Sequence, residues 1–248
     1  MDSVLSRLSD PARLLPIFKT ALAAGVLAGL VTASFHFAVT ERAIDQAIAI
    51  EEAAAAAAGE AGEPLPYTRD QQKAGLFPAA VMLGISYSMV FGLVCSLFRE
   101  RFARWGAVSS SLLLSSLVLG VAFLLPFAKY PGNPPAVGNP ETIHFRTAIF
   151  IAFQLTAILA AALAFFLWAR FRTRLGMRRS TLLGALTFAA VAGAGFILIP
   201  PNPDPVTAPP DLIASFRAFS VLGLAVLWLS IGLFFGLFWK RFSPRAPA

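Results

Sequence analysis

The sequence holds only two histidines, and each lies where an imidazole could bind a metal ion. His36 falls inside an apolar stretch, near one end, where ionisable side chains usually face a cavity or a polar partner. Because imidazole nitrogen suits first-row transition metals, His36 is a candidate metal ligand. A neutral imidazole that hydrogen bonds to a neighbouring carbonyl is the alternative interpretation.

A second candidate site combines Glu141 with His144, three residues later, at the predicted start of another helix. A carboxylate and a histidine at this spacing can present two ligands on one helical face. We therefore take Glu141 and His144 as further candidate metal ligands. They could equally form an exposed pair at a helix start, where an acid stabilises the positive end of the helix dipole.

Signatures of catalysis are missing from the chain. The sequence contains no HExxH, Walker A, GxSxG or dinucleotide-binding pattern, and it implies no bound cofactor. We therefore expect a protein that is not an enzyme and has no catalytic residues.

The candidate ligands lie within or beside six apolar stretches that fill most of the chain. Hydrophobic residues make up 57% and charged residues 13%, with a mean hydropathy of +0.72, which one soluble core of 248 residues could not accommodate. None of the six stretches contains Asp, Glu, Lys or Arg, and each is long enough to cross a bilayer as a helix. The sequence predicts an all-α, polytopic membrane protein that forms one membrane domain over residues 1–248. The predicted spans are 21–39, 74–98, 107–127, 147–169, 181–199 and 218–239.

The distribution of Lys and Arg predicts the orientation of the chain in the membrane. Fourteen of the 20 basic residues fall on the side that holds both termini, and ten of the 13 acids fall on the other side. By the positive-inside rule, we predict that both termini face the cytoplasm. The basic isoelectric point then reflects topology, and no nucleic-acid partner is expected.

The two later outer loops, residues 131–143 and 200–213, look like copies of one another. Three prolines, one asparagine and one valine match at an offset of 69 residues. The pair Phe145-Arg146 after the first loop corresponds to Phe216-Arg217 after the second. We infer three parallel-repeat helical hairpins at about 18–104, 105–179 and 180–248. Common Pro-Asn turn chemistry is the alternative explanation.

Smaller features predict how the helices contact one another. Gly25-x-x-x-Gly29 and Gly232-x-x-x-Gly236 allow close helix approach, and Gln154 is expected to hydrogen bond to a neighbouring helix. The first outer loop, residues 47–66, should continue helix one through its alanine-rich half and be loose in its Gly/Pro half.

Three segments together resemble a known family. The loop Phe127–Ile143 followed by Arg146-Thr147, the opening Ala21–Leu30, and Pro210–Arg217 are similar to the CbtA family of predicted cobalt-transporter subunits. The resemblance implies a multi-pass subunit of the bacterial inner membrane that helps to import Co²⁺ for cobalamin synthesis. It also implies a small single-span partner, CbtB, with histidines near its C-terminus. Many relatives carry histidines in the first outer loop. This chain has none there, which directs attention to His36 and the Glu141/His144 pair.

Two functions therefore compete at this point. The first is an integral-membrane subunit of a divalent-cation uptake system, with cobalt as the expected cargo. The second is a membrane scaffold that transports nothing, and a membrane enzyme acting on lipids ranks behind both.

Overall fold

A computed structural model describes residues 11–59, 66–97, 105–135 and 137–242, and the regular structure of these residues is helical. Two π-helical segments, His36–Thr40 and Leu119–Leu124, join consecutive α-helices, and a 3₁₀ turn, Pro140–Thr142, precedes a long helix. The α-helices are α1 Pro11–Phe35, α2 Glu41–Ala58, α3 Arg69–Leu97, α4 Ala107–Val118, α5 Leu125–Lys129, α6 Ile143–Leu198 and α7 Pro210–Phe242.

Within the described residues, five helical stretches are long and apolar enough to cross a membrane. The all-helical, multi-pass character predicted from the sequence is therefore confirmed. The predicted spans 147–169 and 181–199 both belong to one stretch, Pro140–Leu198, and the second span exceeds it by one residue, Ile199. The five stretches are Leu14–Ala58, Arg69–Ser96, Ala107–Lys129, Pro140–Leu198 and Pro210–Phe242.

Helix α6 is not straight, because it reverses direction at Gly176. The backbone there has φ 77° and ψ 168°, which glycine adopts easily and other residues rarely do. The rings of Phe153 and Phe196 lie 5.8 Å apart, whereas 43 residues of straight helix would separate them by about 65 Å. The two halves of α6 therefore run antiparallel to each other.

The first helix extends well beyond its predicted apolar span. It continues through the π-helical segment into α2, and it ends at Gly59 in a left-handed conformation with φ 72°. The prediction that the alanine-rich half of the first outer loop continues helix one is confirmed. The predicted loose half falls largely on residues 60–65, outside the described part of the chain.

The described chain divides into two compact units, and the first comprises Met1–Leu117 with Ala218–Ala248. In this unit α1 and α3 approach closely through small residues. A side chain at Gly25 would meet the backbone of Gly84 and Ile85, and one at Gly29 would meet the backbone of Ala80 and Val81. The predicted role of Gly25 and Gly29 is therefore confirmed, because only glycine leaves room for these contacts.

Helix α7 packs against α4 and α3 of the first unit. Gly232 and Gly236 lie against Ser115 and Ser111 of α4, as their spacing predicts. On α7, Trp228 is buried and stacks on Tyr87 of α3, with 5.5 Å between ring centroids. These seams fix the helices that surround His36.

The second unit, Val118–Arg217, is built around Phe153 of α6, which is fully buried. Its neighbour Gln154 donates a hydrogen bond from Nε2 to the carbonyl of Ala122 at 2.8 Å, which confirms the predicted interhelical contact. Ala122 lies in the π-helical segment Leu119–Leu124, where the regular α-helical bonding is interrupted. The side-chain amide of Gln154 therefore gives a carbonyl of this irregular turn a hydrogen-bond donor.

Candidate functional site

The π-helical turn of the first helix positions His36. The N–H of Glu41 donates to the carbonyl of His36, five residues back, so one extra residue is inserted into the turn. One extra residue rotates the helix that follows by about 100° relative to a regular α-helix. Such insertions are rare and occur frequently at functional sites.

The imidazole of His36 is half-buried and has a defined partner. Its Nδ1 lies 2.8 Å from Oγ1 of Thr40, the residue that closes the π-turn. On α7, Gly223 lies so close that a methyl group there would overlap the ring. If the Nδ1 proton is donated to Thr40, the lone pair of Nε2 is available to a metal ion.

A cluster of ion pairs follows His36 along the chain. Arg69 of α3 binds Glu41 and also donates to Asp45 at 2.8 Å, and Lys73 donates to the other oxygen of Asp45 at 2.8 Å. Glu41 is buried and follows His36 by five residues. The cluster joins α2 to α3 and neutralises two of the acids that the sequence assigns to the outer side.

Glu141 lies in the 3₁₀ turn before α6 and His144 in the first turn of α6, and both side chains are exposed. The helix begins at Ile143, so the predicted position of His144 at a helix start is confirmed. The hydrogen-bonding cap is Asn139, whose side chain accepts from the N–H of Glu141 at 2.9 Å. Glu141 therefore contributes charge at the helix start, and its carboxylate remains open to solvent.

The two outer loops of the second unit meet at Asp204. Its carboxylate accepts from the N–H of Asn139 at 2.8 Å and from the hydroxyl of Thr142 at 2.8 Å, and it pairs with Nε of Arg146 at 3.1 Å. The Asp204 side chain is only 4% exposed. One buried carboxylate thus holds the second loop onto the first.

The two arginines that answer each other in the sequence bind the loops reciprocally. Arg146, after the first loop, pairs with Asp204 of the second. Arg217, after the second loop, donates to the carbonyl of Gly132 and, at 2.9 Å, to Oδ1 of Asn133 in the first. Each arginine therefore contacts the outer loop that lies farther from it in the sequence.

A further contact between the loops comes from Tyr130. Its hydroxyl donates to the carbonyl of Pro200 at 2.5 Å. Burial raises the pKa of the Tyr130 phenol above its ordinary value, so the hydroxyl stays protonated and able to donate. Beside this contact lies a cavity of about 330 Å³, whose polar lining comes from Tyr130, Asn133, Arg146, Thr147 and Asn202.

The structure places the sequence-predicted ligands in two separate groups. His36 belongs to the first unit, whereas Glu141 and His144 lie one helical turn apart in the second. Over the described ranges, no three His, Cys, Asp or Glu side chains cluster as a metal site would require. Each group could therefore supply only part of the coordination of a metal ion.

Comparison with known families identifies the kind of protein to which these groups belong. A family model described as a probable cobalt transporter subunit (CbtA) matches residues 16–240. The chain belongs to the CbtA family. The match covers all five apolar helical stretches in whole or in large part, so this CbtA-family protein is a multi-pass membrane protein of a transporter-subunit family. Neither a curated protein nor a solved structure matches the chain.

Several residues of this CbtA-family protein escaped the sequence analysis. Thr40 and Gly223 contact His36, and Asp204 joins the outer loops. Asp204 breaks the match between the two outer loops, since Pro135 occupies the equivalent position, and that mismatch is the one signal from which it could have been identified. A π-turn leaves no comparable signal in the sequence, so the hydrogen bond between His36 and Thr40 could not be predicted from it.

Proposed function

We propose that this protein is the integral-membrane subunit of a cobalt uptake system that feeds cobalamin synthesis in the bacterial cytoplasmic membrane. The family match over residues 16–240 is the observation that carries the proposal. The apolar helices and the half-buried imidazole of His36 are consistent with a path for a divalent cation.

The proposed topology has six crossings, arranged as three hairpins with both termini in the cytoplasm. The reversal at Gly176 supports two crossings within α6, because each half is long enough to span about 30 Å. The excess of basic residues on one side supports the orientation. The reciprocal contacts of Arg146 and Arg217 support the hairpin repeat, whose boundaries stay a prediction.

Exposed acids on the outer side would attract the cation. Glu41, Asp45 and Asp204 are already paired with basic side chains, so they contribute little to the field. Those that remain exposed raise the local cation concentration near the entrance. In the described ranges of the chain they are Glu51, Glu52, Asp70, Glu141 and Asp211.

His36 then supplies one nitrogen ligand along the path. Its hydrogen bond to Thr40 fixes the ring orientation, as partners of metal-binding histidines commonly do. The exposed pair Glu141/His144 would provide an outer binding step. A single-span partner like CbtB, with its C-terminal histidines, would complete the coordination of Co²⁺.

Uptake of labelled cobalt tests the proposal in cells that hold every partner subunit. We expect His36→Ala to reduce uptake strongly and Thr40→Val to reduce it partly, because valine keeps the shape but removes the bond that orients the ring. Thr32→Val is the matched control, since the Thr32 hydroxyl bonds only to a carbonyl of its own helix. Glu141→Gln and His144→Ala should raise the cobalt concentration needed for half-maximal uptake.

Two results would contradict the proposal at different levels. Unchanged uptake when the whole protein is deleted excludes a role in transport. Normal uptake in His36→Ala, together with normal expression, excludes His36 as a ligand and leaves the family function intact.

The second candidate function is a scaffold that holds other subunits together. The glycine seams of the first unit favour it, because such close packing suits a rigid support. A scaffold predicts that His36→Ala leaves uptake unchanged while deletion of the protein lowers recovery of its partner from the membrane.

A further inference from the structure

The reversal of α6 concentrates positive charge on a short exposed turn. Five arginines lie within residues 170–179, which we call the arginine turn, and all five side chains are exposed. Two apolar side chains between them, Leu175 and Met177, are 40% and 62% exposed. The arginines are Arg170, Arg172, Arg174, Arg178 and Arg179.

Residues near this turn in the sequence provide no negative charge for it. The sequence contains no Asp or Glu between Glu141 and Asp204. In the described part of the chain, the ion pairs join other residues. Five like charges on ten residues repel one another, so an external anion would stabilise the turn.

Two of the arginines also lie at the unfavourable end of a helix. Arg178 and Arg179 occupy the first turn of the helical half that follows Gly176, where the helix dipole is positive. The hydroxyl of Ser180 donates to the carbonyls of Gly176 and Met177, so it does not cap the N–H groups of that turn. The first N–H groups of a helix have no acceptor within that helix, so beside two guanidinium groups they form a favourable position for a phosphate.

The surroundings of the turn favour a lipid over a small soluble anion. Both helical halves leave the turn as apolar segments, and Trp168 lies just before it with Arg172 stacked over its ring at 5.4 Å. Tryptophan and arginine at the end of an apolar segment are typical of the headgroup region. Exposed Leu175 and Met177 can insert among acyl chains, whereas a soluble anion gives them no partner.

We propose that the arginine turn binds the phosphate groups of anionic phospholipids in the cytoplasmic leaflet. The proposal rests on the proposed topology, which places the turn at that surface. Anionic headgroups neutralise the guanidinium groups, and the open, exposed surface allows several lipids to bind side by side.

Lipid binding to the purified full-length protein in detergent tests the proposal. Native mass spectrometry would compare phosphatidylglycerol with phosphatidylcholine, with inorganic phosphate as a third probe. A basic residue near an anionic surface contributes about a five-fold gain in affinity, so we expect Arg178→Gln/Arg179→Gln to weaken phosphatidylglycerol binding about thirty-fold. Arg178→Lys/Arg179→Lys should retain most of the preference, because the charge remains.

Lys240→Gln/Arg241→Gln is the matched control, since these exposed residues end α7 on the same predicted side of the membrane. Three results would overturn the proposal: an unchanged lipid preference in Arg178→Gln/Arg179→Gln, an equal loss in the control, or equal binding of inorganic phosphate. Because all these residues are exposed, an unchanged thermal midpoint would show that each variant is folded.

The lipid assay and the cobalt assay test separate hypotheses, so either hypothesis can be rejected without the other. If deletion of the protein leaves cobalt uptake unchanged but phosphatidylglycerol still binds at the arginine turn, the transport function is wrong and the lipid site stands. If a membrane-impermeant reagent reaches a cysteine placed at Thr173 only from outside the cell, the topology and the lipid site are wrong, whereas cobalt uptake remains a separate question.

Discussion

The imidazole of His36 on the first helix lies against Gly223 on the last, so position 223 has no room for a side chain. This contact places the candidate ligand between two helices that are far apart in the sequence. The same ring bonds to Thr40 within its own π-turn. Its position therefore depends on a local irregularity and on a tertiary contact together.

Replacing Gly223 with alanine should displace the His36 ring. The added methyl overlaps the imidazole, and overpacking of this kind typically costs about 1–3 kcal/mol. We expect a lower thermal midpoint in detergent and a loss of cobalt uptake that approaches that of His36→Ala. Gly193→Ala is the control, because nothing lies within 4 Å of the added methyl. Full uptake in Gly223→Ala would mean that the ring can move without consequence.

The seam between α1 and α3 predicts a second effect of adding one methyl group. In Gly84→Ala the methyl would overlap the carbonyl of Gly25, and rigid backbone cannot move aside cheaply. We expect a loss of about 1–3 kcal/mol in the free energy of unfolding. Gly75→Ala on the same helix meets no atom within 4 Å and should be neutral or stabilising by up to about 1 kcal/mol. Thermal unfolding of the two variants side by side gives the comparison, and equal midpoints would contradict it.

Much of the fold could be predicted because lipid exposure leaves a strong trace in the sequence. The uncharged apolar stretches identified the helices, and small residues at helical spacing identified two of the seams, at Gly25 and at Gly232. The reversal at Gly176 falls between the predicted spans 147–169 and 181–199, as two separate crossings require. These features depend on composition over many residues, so no single contact decides them.

The candidate site was only partly predictable, because it depends on single contacts. The sequence identified His36 as the one imidazole within an apolar span, but its partners Thr40 and Gly223 follow from the π-turn and from helix packing. Glu141 was expected to favour the helix start, yet the hydrogen-bonding cap is Asn139. Hydrogen bonds of this kind depend on positions known to within an ångström, which residue patterns do not supply.

The bond between Gln154 and the π-helical carbonyl of Ala122 should contribute measurably to stability. Leucine at position 154 keeps the volume but leaves that carbonyl without the side-chain donor. Polar contacts between membrane helices contribute about 0.6 kcal/mol on average and up to about 1.7, so we expect Gln154→Leu to lose an amount in this range. Thr156→Val is the control, because the Thr156 hydroxyl bonds to its own helix. A larger loss in the control than in Gln154→Leu would contradict the assignment.

Asp204→Asn should loosen the two outer loops from each other. Asparagine keeps the shape but loses the charge that pairs with Arg146, and its amide group has one acceptor oxygen for the donors of Asn139 and Thr142. Hydrogen bonds to charged groups contribute about 1.5–3 kcal/mol, so we expect a loss of that size and faster amide hydrogen exchange over residues 131–142. The matched control is Asp211→Asn, an exposed acid at the start of α7, whose loss should cost only about 0.3–1 kcal/mol through the helix dipole.

Because Asp204 and Arg146 interact directly, adding Arg146→Gln to Asp204→Asn should cost less than the two single changes together. Strictly additive losses would show that the buried carboxylate holds the loops without the arginine.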